Sequence, residues 1–211
     1  MLSMHPGLKA NPPGLISLNS FLYQATKAKM PTIEIQEVGP EELEDFLIYL
    51  QDHLKENGKE GPLFQPLSPA QLMDGSILRG KFEGSLGKKV GEKGWRKLWL
   101  AKNDAGEICG HIDIRGRMEP NAGHRVLLGM GVDKGHRRMN IGQDMLLHVI
   151  DFCKKHPHIG WLDLEVLDEN RPAKGLYQKL KFQELCTVED MFRIEGKSYG
   201  YTSMTLRVDA D

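Results

Sequence analysis

The hydrophobic residues of this chain repeat with two periods, one typical of strands and one typical of helices. Residues Thr32 to Gln36 alternate apolar and polar side chains, which predicts a β-strand. Directly after them, apolar residues recur at helical spacing from Leu43 to Leu50, behind a proline, Pro40, that suits the first turn of a helix. The region 57–94 is rich in Gly, Pro and Lys, and a capping box that begins at Ser68 predicts one helix in it.

The second half of the chain contains the clearest pattern. Two strand-like runs joined by an Asn-Asp-Ala-Gly turn are followed by a third run, so we predict three consecutive antiparallel strands. Two amphipathic helices then flank a further strand, and a hairpin closes the chain. The predicted strands cover 96–102, 107–117, 125–132, 161–166, 183–194 and 199–208, and the predicted helices cover 141–155 and 172–180. This order predicts an α/β fold, a mixed sheet with helices on its faces.

Composition limits the class of protein. Residues 1–30 follow neither period, and we expect a partly disordered extension or one short helix there, followed by a domain over 31–211. With 28 Lys plus Arg and 29 Asp plus Glu, the net charge of −1 gives no general attraction to nucleic acid or anionic lipid. No apolar run approaches the roughly 20 residues of a membrane span. The three cysteines lack metal or CxxC spacing, so we expect reduced thiols, a cytoplasmic location and no metal.

The stretch from Leu127 to Gly142 leads from a strand through a turn into a helix. The first N–H groups of a helix have no intrahelical acceptor and lie at the positive end of the helix dipole. A phosphate can bind there, especially where a small residue allows close approach and arginines add charge. Gly142 and the pair Arg137-Arg138 provide both features. Taken alone, the pattern is compatible with an anion site and with a solvated surface turn.

Two segments form a pair that is typical of one superfamily. The run Arg137-Arg138-Met139-Asn140-Ile141-Gly142 matches the pattern Arg/Gln-x-x-Gly-x-Gly/Ala, with Asn140 in place of the first glycine. Asparagine is the residue that next most readily adopts left-handed geometry. About 30 residues later, Val166 to Phe182 contains an Asn, an Ala and a Leu-Tyr pair before a closing Leu-x-Phe, in which Lys181 replaces the usual glycine. Together these blocks resemble the GNAT superfamily of N-acetyltransferases, and the resemblance covers residues 32–208.

The resemblance implies the GNAT fold, a mostly antiparallel twisted sheet flanked by helices, with acetyl-coenzyme A (acetyl-CoA) as cofactor. In this family the strand before the signature carries a bulge and splays from the next strand, and the pantetheine arm lies in the gap. Gly129 and Gly131 suit such a bulge, because glycine tolerates unusual dihedral angles. The implied cofactor contacts are Met130, Gly131, Val132, Arg137, Arg138, Met139, Asn140, Ile141, Gly142, Gln143, Asn170 and Tyr177. For Asn170, a helix cap is an equally good explanation.

Acetyl transfer to an amine needs a neutral amine, a donor to the carbonyl oxygen and a proton for the departing thiolate. Tyr177 falls where the family places its general acid. Some members carry a carboxylate base at the position of Val126, which offers none here. The remaining candidate bases are Glu165, Asp163, His111, Asp113 and Glu119. We take Tyr177 and Glu165 as the catalytic pair.

These features predict an N-acetyltransferase that moves the acetyl group of acetyl-CoA to a primary amine of a small molecule or a protein. No cysteine has a recognisable nucleophile setting, so we expect direct transfer in a ternary complex. A non-catalytic acyl-CoA-binding sensor is the alternative, because Asn140 and the missing carboxylate at Val126 both weaken the case for catalysis. The C-terminal edge strands also suggest a homodimer.

Overall fold

The computed structural model describes residues 32–59, 61–71 and 75–209, so the extension predicted for residues 1–30 lies outside the described residues. The described strands are β1 (Glu34–Val38), β2 (Arg96–Lys102), β3 (Ile108–Gly116), β4 (Arg125–Val132), β5 (Trp161–Leu167), β6 (Gln183–Ile194) and β7 (Lys197–Arg207). The described helices are α1 (Leu43–Leu54), α2 (Gly75–Phe82), α3 (Ile141–Lys154) and α4 (Arg171–Lys179). This order confirms the predicted succession of elements. After Ser68 the chain forms a 3₁₀ turn, Pro69–Gln71, and α2 begins at Gly75.

The described strands form one mixed sheet in the order β1-β2-β3-β4-β5-β7-β6. All neighbouring strands are antiparallel except β4 and β5, which are parallel. These two strands pair over only three residues each, ending at Leu127 and Asp163, although β4 continues to Val132 and β5 to Leu167. The strands therefore diverge and leave a gap in the sheet, as the resemblance implied.

The sheet has a hydrophobic core on each side, because alternate side chains of its strands point to opposite faces. On the face covered by α3 and α4, which we call the α3 face, Trp99, Ile112 and Met145 are buried. On the opposite face, the α1 face, Phe46 and Leu98 are buried together with residues of α1 and α2. Each side chain next to the gap therefore lies on one of two faces of the sheet, and the two faces have separate cores.

An ion cluster on the α1 face fixes the last pair of residues that joins β4 to β5. Asp163 of β5 accepts hydrogen bonds from Arg125 of β4 (2.5 Å), Thr205 of β7 (2.6 Å) and Arg117, which follows β3 (2.9 Å). Burial by itself would raise the pKa of Asp163, but these three partners together hold it below its usual value. Asp163 is therefore ionised at neutral pH and ties three strands together.

Candidate active site

The gap exposes one edge of β4. The backbone N–H of Asp133 donates to the carbonyl of Cys109 in β3 (2.9 Å), which shows which residues of β4 face β3. Backbone groups alternate in direction along a strand, so Met130 and Val132 direct their N–H and C=O groups into the gap, as the resemblance implied. Gly131 lies between them and directs its backbone at β3, which differs from its predicted place among the cofactor contacts.

The bulge predicted at Gly129 and Gly131 is wrong, because β3 and β4 pair in an unbroken register from Val126 to Val132. The glycines are needed for a different reason. A Cβ on Gly129 would lie 2.7 Å from Asp113 Oδ2. A Cβ on Gly131 would lie 2.5 Å from His53 Nε2 and 2.7 Å from His111 Cε1. At these two positions on the α1 face, β4 must therefore lack a side chain so that these groups can reach its backbone.

The loop between β4 and α3 ends at Asn140, the N-cap residue of α3, whose side chain forms no capping hydrogen bond with the helix. Arg138 and Asn140 both have positive φ angles, of 64° and 62°. Asn140 thus takes the left-handed geometry of the glycine it replaces, which confirms that part of the sequence argument. The N–H of Asp144 donates to the carbonyl of Asn140 (3.0 Å). The three preceding N–H groups, of residues 141–143, have no intrahelical acceptor, an arrangement that suits a phosphate.

Some of the polar side chains around the start of α3 form hydrogen bonds within the protein. Arg137 Nε donates to the carbonyl of Val132 (3.2 Å), so it ties the loop to the end of β4 and occupies one acceptor in the gap. Arg138 is exposed. Gln143 Oε1 accepts a hydrogen bond from Lys179 of α4 (2.6 Å). Arg137 and Arg138 are both exposed, so either guanidinium can reach a bound anion.

The apolar residues of the signature pack inward. Ile141 is buried, and Met139 is half-buried against the core of the α3 face. A Cβ on Gly142 would lie 3.1 Å from Leu176 of α4 and 3.4 Å from Met130 Cε, so glycine allows α3 and α4 to approach closely. Ile141 consequently has only its backbone N–H to offer a cofactor.

Two predicted site residues come from the segment that forms α4. Asn170 Oδ1 accepts a hydrogen bond from the N–H of Ala173 (3.3 Å), which confirms the helix-cap explanation, and its contact with a pantetheine arm stays a prediction. Tyr177 is buried, with its ring 5.7 Å from that of Phe182. Burial, and then the nearby Tyr201, raise the pKa of Tyr177 above its usual value. Its phenol is therefore protonated at neutral pH.

The five candidate bases occupy very different surroundings. Asp163 is held by the ion cluster, Asp113 is buried in an ion pair, and Glu119 is exposed on the connection that follows β3. His111 is buried. Glu165 is exposed on the α1 face and lies two residues beyond the last residue that β5 pairs with β4. Of the five, Glu165 alone combines exposure with a position at the gap.

A cluster of rings beside the gap was not foreseen from the sequence. His53 lies 4.8 Å from the ring of Phe64, 5.6 Å from that of His111 and 5.8 Å from that of Tyr49. Burial, and then the charge of Arg137, lower the pKa of His53 to about 4. Burial, and then His53, lower the pKa of His111 to about 3. Both imidazoles are therefore neutral at neutral pH. We call His53, His111, Tyr49 and Phe64 the ring cluster.

A single asparagine fixes the loop that completes the ring cluster. Asn57 is buried, and its amide nitrogen donates to the carbonyls of Gln65 (3.0 Å) and Leu67 (2.9 Å). Its amide oxygen accepts from the N–H groups of Phe64 (2.8 Å) and Gln65 (3.0 Å). Phe64 is thereby held against His53. The spacing of Phe46, Tyr49 and His53 on one face of α1 could have suggested part of this cluster, since residues at i, i+3 and i+7 share a helix face.

Other classes of site have little support in the part of the chain that the structure describes. The described His, Cys, Asp and Glu side chains form no group of three that could hold a metal ion. No described helix has the length and apolar character needed to cross a membrane. Cys109 and Cys153 are buried in the core of the α3 face, whereas Cys186 is exposed on β6, and all three are free thiols.

Comparison with known families agrees with this geometry. Residues 79–182 match the sequence model of the family described as Acetyltransferase (GNAT) family. The matched span contains the gap, the start of α3 and Tyr177. This chain is a GNAT-family protein. The match confirms the superfamily that the two sequence blocks suggested.

Solved structures share the GNAT fold. A GNAT-family acetyltransferase from Streptococcus pneumoniae is 20% identical, covers 83% of this chain and 99% of its own, and has a TM-score of 0.66. The yncA protein from Salmonella typhimurium, solved with its cofactor acetyl-CoA, is 12% identical, covers 85% of this chain and 96% of its own, and has a TM-score of 0.67. At these identities the likeness establishes the GNAT fold alone.

A curated GNAT relative matches a shorter region. The L-amino acid N-acetyltransferase AaaT of Escherichia coli (strain K12) is 24% identical over 78 residues, which cover 37% of this chain and 48% of that protein. The chain thus spans about half the length of this curated relative. The acceptor of this GNAT protein must therefore be argued from its own residues.

Proposed function

We propose that this protein transfers the acetyl group of acetyl-CoA to a primary amine while both substrates are bound. The observation that carries the proposal is the unpaired edge of β4, which leads directly to the start of α3. Met130 offers its N–H and C=O there and Val132 its N–H, and residues 141–143 offer three N–H groups at the positive end of the helix dipole. An extended arm with amide groups, ending in a pyrophosphate, fits these two features in that order.

Two groups, one on β4 and one on α4, can assist departure of the thiol. Acetyl-CoA supplies the acetyl group in an activated form, as a thioester. The Met130 N–H, directed into the gap, can donate to the carbonyl oxygen on which charge develops during transfer. Tyr177 holds a proton for the departing sulfur, since burial keeps its phenol protonated. Both groups belong to rigid elements, β4 and α4, so their positions are set before the substrates bind.

Glu165 is the group we assign to proton removal from the amine. An aliphatic ammonium has a pKa of about 10.4, so at neutral pH it must lose a proton before it can attack. Glu165 is exposed at the gap on the α1 face, opposite the face of α3. Burial, and then the Glu165 carboxylate, raise the pKa of the neighbouring Tyr201 to about 12, so that phenol stays protonated beside the carboxylate. Glu165 can accept the proton directly or through a water molecule.

A non-catalytic acyl-CoA sensor was the alternative suggested by Asn140 and by the missing carboxylate at Val126. Asn140 adopts the left-handed geometry that a glycine would provide, so the substitution leaves the helix start intact. Val126 is buried in the core of the α3 face, and Glu165 provides a carboxylate at the gap. The geometry therefore favours the enzyme over the sensor.

The test measures thiol release from acetyl-CoA by the purified protein with a panel of primary amines. Tyr177→Phe should lower kcat about 100-fold or more, the usual contribution of a positioned acid, while calorimetry shows unchanged binding of acetyl-CoA. Tyr199→Phe, on β7 outside the gap, is the matched control and should retain activity. Binding without turnover of any amine would favour the sensor. A protein that shows no heat and no thermal stabilisation with acetyl-CoA would refute the proposal altogether.

A further inference from the structure

Two arginines share one buried carboxylate on the α1 face, next to the gap. Asp113 of β3 is only 5% exposed, and Arg96 Nη1 lies 2.9 Å from its Oδ1. The Arg96 guanidinium also lies over the ring of Phe82, 4.4 Å from its centre. Arg115 Nη1 lies 3.6 Å from the same carboxylate oxygen, and its side chain is 38% exposed. Arg96 is thus fixed on two sides, whereas Arg115 shares the carboxylate at longer range and reaches solvent.

Three cationic side chains lie around Asp113. Lys81 of α2 belongs to the same group, because burial and then the charges of Arg96 and Arg115 lower its pKa, with Asp113 opposing. Arg96, Arg115 and Lys81 are therefore grouped around one buried carboxylate. A local positive field beside a half-buried surface attracts an anion.

This positive group opens onto the gap. Arg115 Nη1 lies 3.7 Å from the point that a Cβ on Gly129 would occupy, so the guanidinium extends over the bare backbone of β4. Glu165 lies on the other side of the gap, on the same face. Tyr201 is close enough to both that Glu165 raises its pKa and Arg115 lowers it, in addition to the larger effect of burial. The mouth of the gap therefore has a guanidinium on one side and a carboxylate on the other.

We propose that the amine acetylated by this protein carries an anionic group, such as a carboxylate, and that Arg115 binds that group. This inference rests on the proposed acetyl transfer and names the substrate class for it. An ammonium end is attracted to Glu165 and an anionic end to Arg115, so an amino-carboxylate matches the charges at both sides of the gap. Arginine suits this role because its planar fork can donate two parallel hydrogen bonds to a carboxylate.

Arg115 can be tested separately from the structural ion pair. Removing Arg96 or Asp113 would leave a buried charge without its partner, which is strongly destabilising. Arg115 is more exposed and more distant from Asp113, so its replacement should leave the fold intact. Arg79 provides a matched control. Its side chain is also 38% exposed and pairs with a carboxylate, Glu44, at 2.6 Å, but it joins α2 to α1 outside the gap.

The experiment compares three pairs of acceptors in which a carboxylate is present or replaced by a neutral group. The pairs are L-leucine and L-leucinamide, β-alanine and propylamine, and 4-aminobutyrate and butylamine. An uncharged lysine peptide with blocked ends is a further neutral acceptor. In at least one pair, kcat/KM of the wild type should be about tenfold or more higher for the carboxylate member, as expected for one charge-assisted hydrogen-bonded contact. The amide's amine is the more readily deprotonated, so basicity alone would favour leucinamide.

The variants decide whether Arg115 is responsible. Arg115→Gln should abolish the preference, mainly by raising KM for the carboxylate acceptor, and Arg115→Lys should keep part of it. Arg79→Gln should behave as the wild type. Equal or faster turnover of the neutral acceptors and the peptide would overturn this inference and leave acetyl transfer standing. A carboxylate preference that persists in Arg115→Gln would overturn the assignment to Arg115. No turnover of any acceptor, despite binding of acetyl-CoA, would refute the proposed function together with this inference.

Discussion

Replacement of Gly131 by alanine tests the arrangement on the α1 face of β4 most directly. The added Cβ would lie 2.5 Å from Nε2 of His53 and 2.7 Å from Cε1 of His111. Carbon atoms normally pack at about 3.5–4.0 Å, so the two rings or the strand must shift by roughly 1 Å. The rings have little room to retreat, because both are buried and they pack against Tyr49 and Phe64.

We expect Gly131→Ala to lower the free energy of unfolding by about 1–3 kcal/mol, the usual cost of adding a methyl group to a close-packed site. For a chain of this length, the melting temperature should fall by roughly 2–4 °C per kcal/mol, which circular dichroism can measure. Gly175→Ala is the matched control. A Cβ there meets nothing within 4 Å, and alanine is the better helix former, so the stability should be unchanged or up to about 1 kcal/mol higher.

A double-mutant cycle separates this steric contact from other effects of alanine at position 131. His53→Ala removes the nearer ring, so Gly131→Ala should cost less in that background, with His111 accounting for the remainder. The reasoning would be refuted if Gly131→Ala melted like Gly175→Ala. It would also fail if the cost were the same with and without the His53 ring.

Three further results are expected. Gly142→Val should weaken acetyl-CoA binding about tenfold or more in calorimetry. Even a Cβ on Gly142 would lie 3.1 Å from Leu176, so the larger side chain disturbs the start of α3 and its free N–H groups. Unchanged affinity would exclude the start of α3 as the phosphate site. Burial lowers the pKa of His53 to about 4 and of His111 to about 3, against about 6.5 when unfolded, so the unfolded chain binds protons first. Stability should therefore fall below pH 6.5, by about 1 kcal/mol per histidine at pH 5.5, and urea unfolding of His53→Phe should show a weaker pH dependence. Val188→Lys, on the exposed edge strand β6, should turn the suggested homodimer into a monomer in sedimentation, and an unchanged dimer would exclude this strand as the interface.

The strands and helices of the second half could be predicted because each has its own periodic pattern. Ile141, Met145 and Val149 repeat at helical spacing, and all three are buried against the sheet. The helix start was predictable for a similar reason, since the tolerance of Asn140 for left-handed geometry is a property of the residue itself. The sequence was therefore sufficient for features that depend on the residues of a single segment.

The ring cluster could not be predicted in this way, because it depends on contacts between distant segments. His53 reaches Gly131 only because α1 packs on the α1 face with a particular rotation and because Asn57 holds the following loop. The bulge prediction failed for a related reason. A glycine in a strand is compatible with a bulge and with the close approach of another side chain, and the strand's own sequence does not distinguish them.

The ion cluster at Asp163 explains why the gap begins where it does. Asp163 belongs to the last residue pair between β4 and β5, and it accepts hydrogen bonds from Arg125 of β4 and Thr205 of β7, so β5 is tied to both neighbours at that level. Two residues further along, β4 has Gly129, which has no side chain, and β5 has the exposed Glu165. These two residues therefore cannot form a side-chain pair like that of Arg125 and Asp163. Neighbouring carboxylates of one strand therefore have opposite roles. Substitution of Asp163 would leave Arg125 without its carboxylate and Arg117 with Glu119 alone, and would act through stability and the geometry of the gap, whereas Glu165 can be replaced without loosening the sheet.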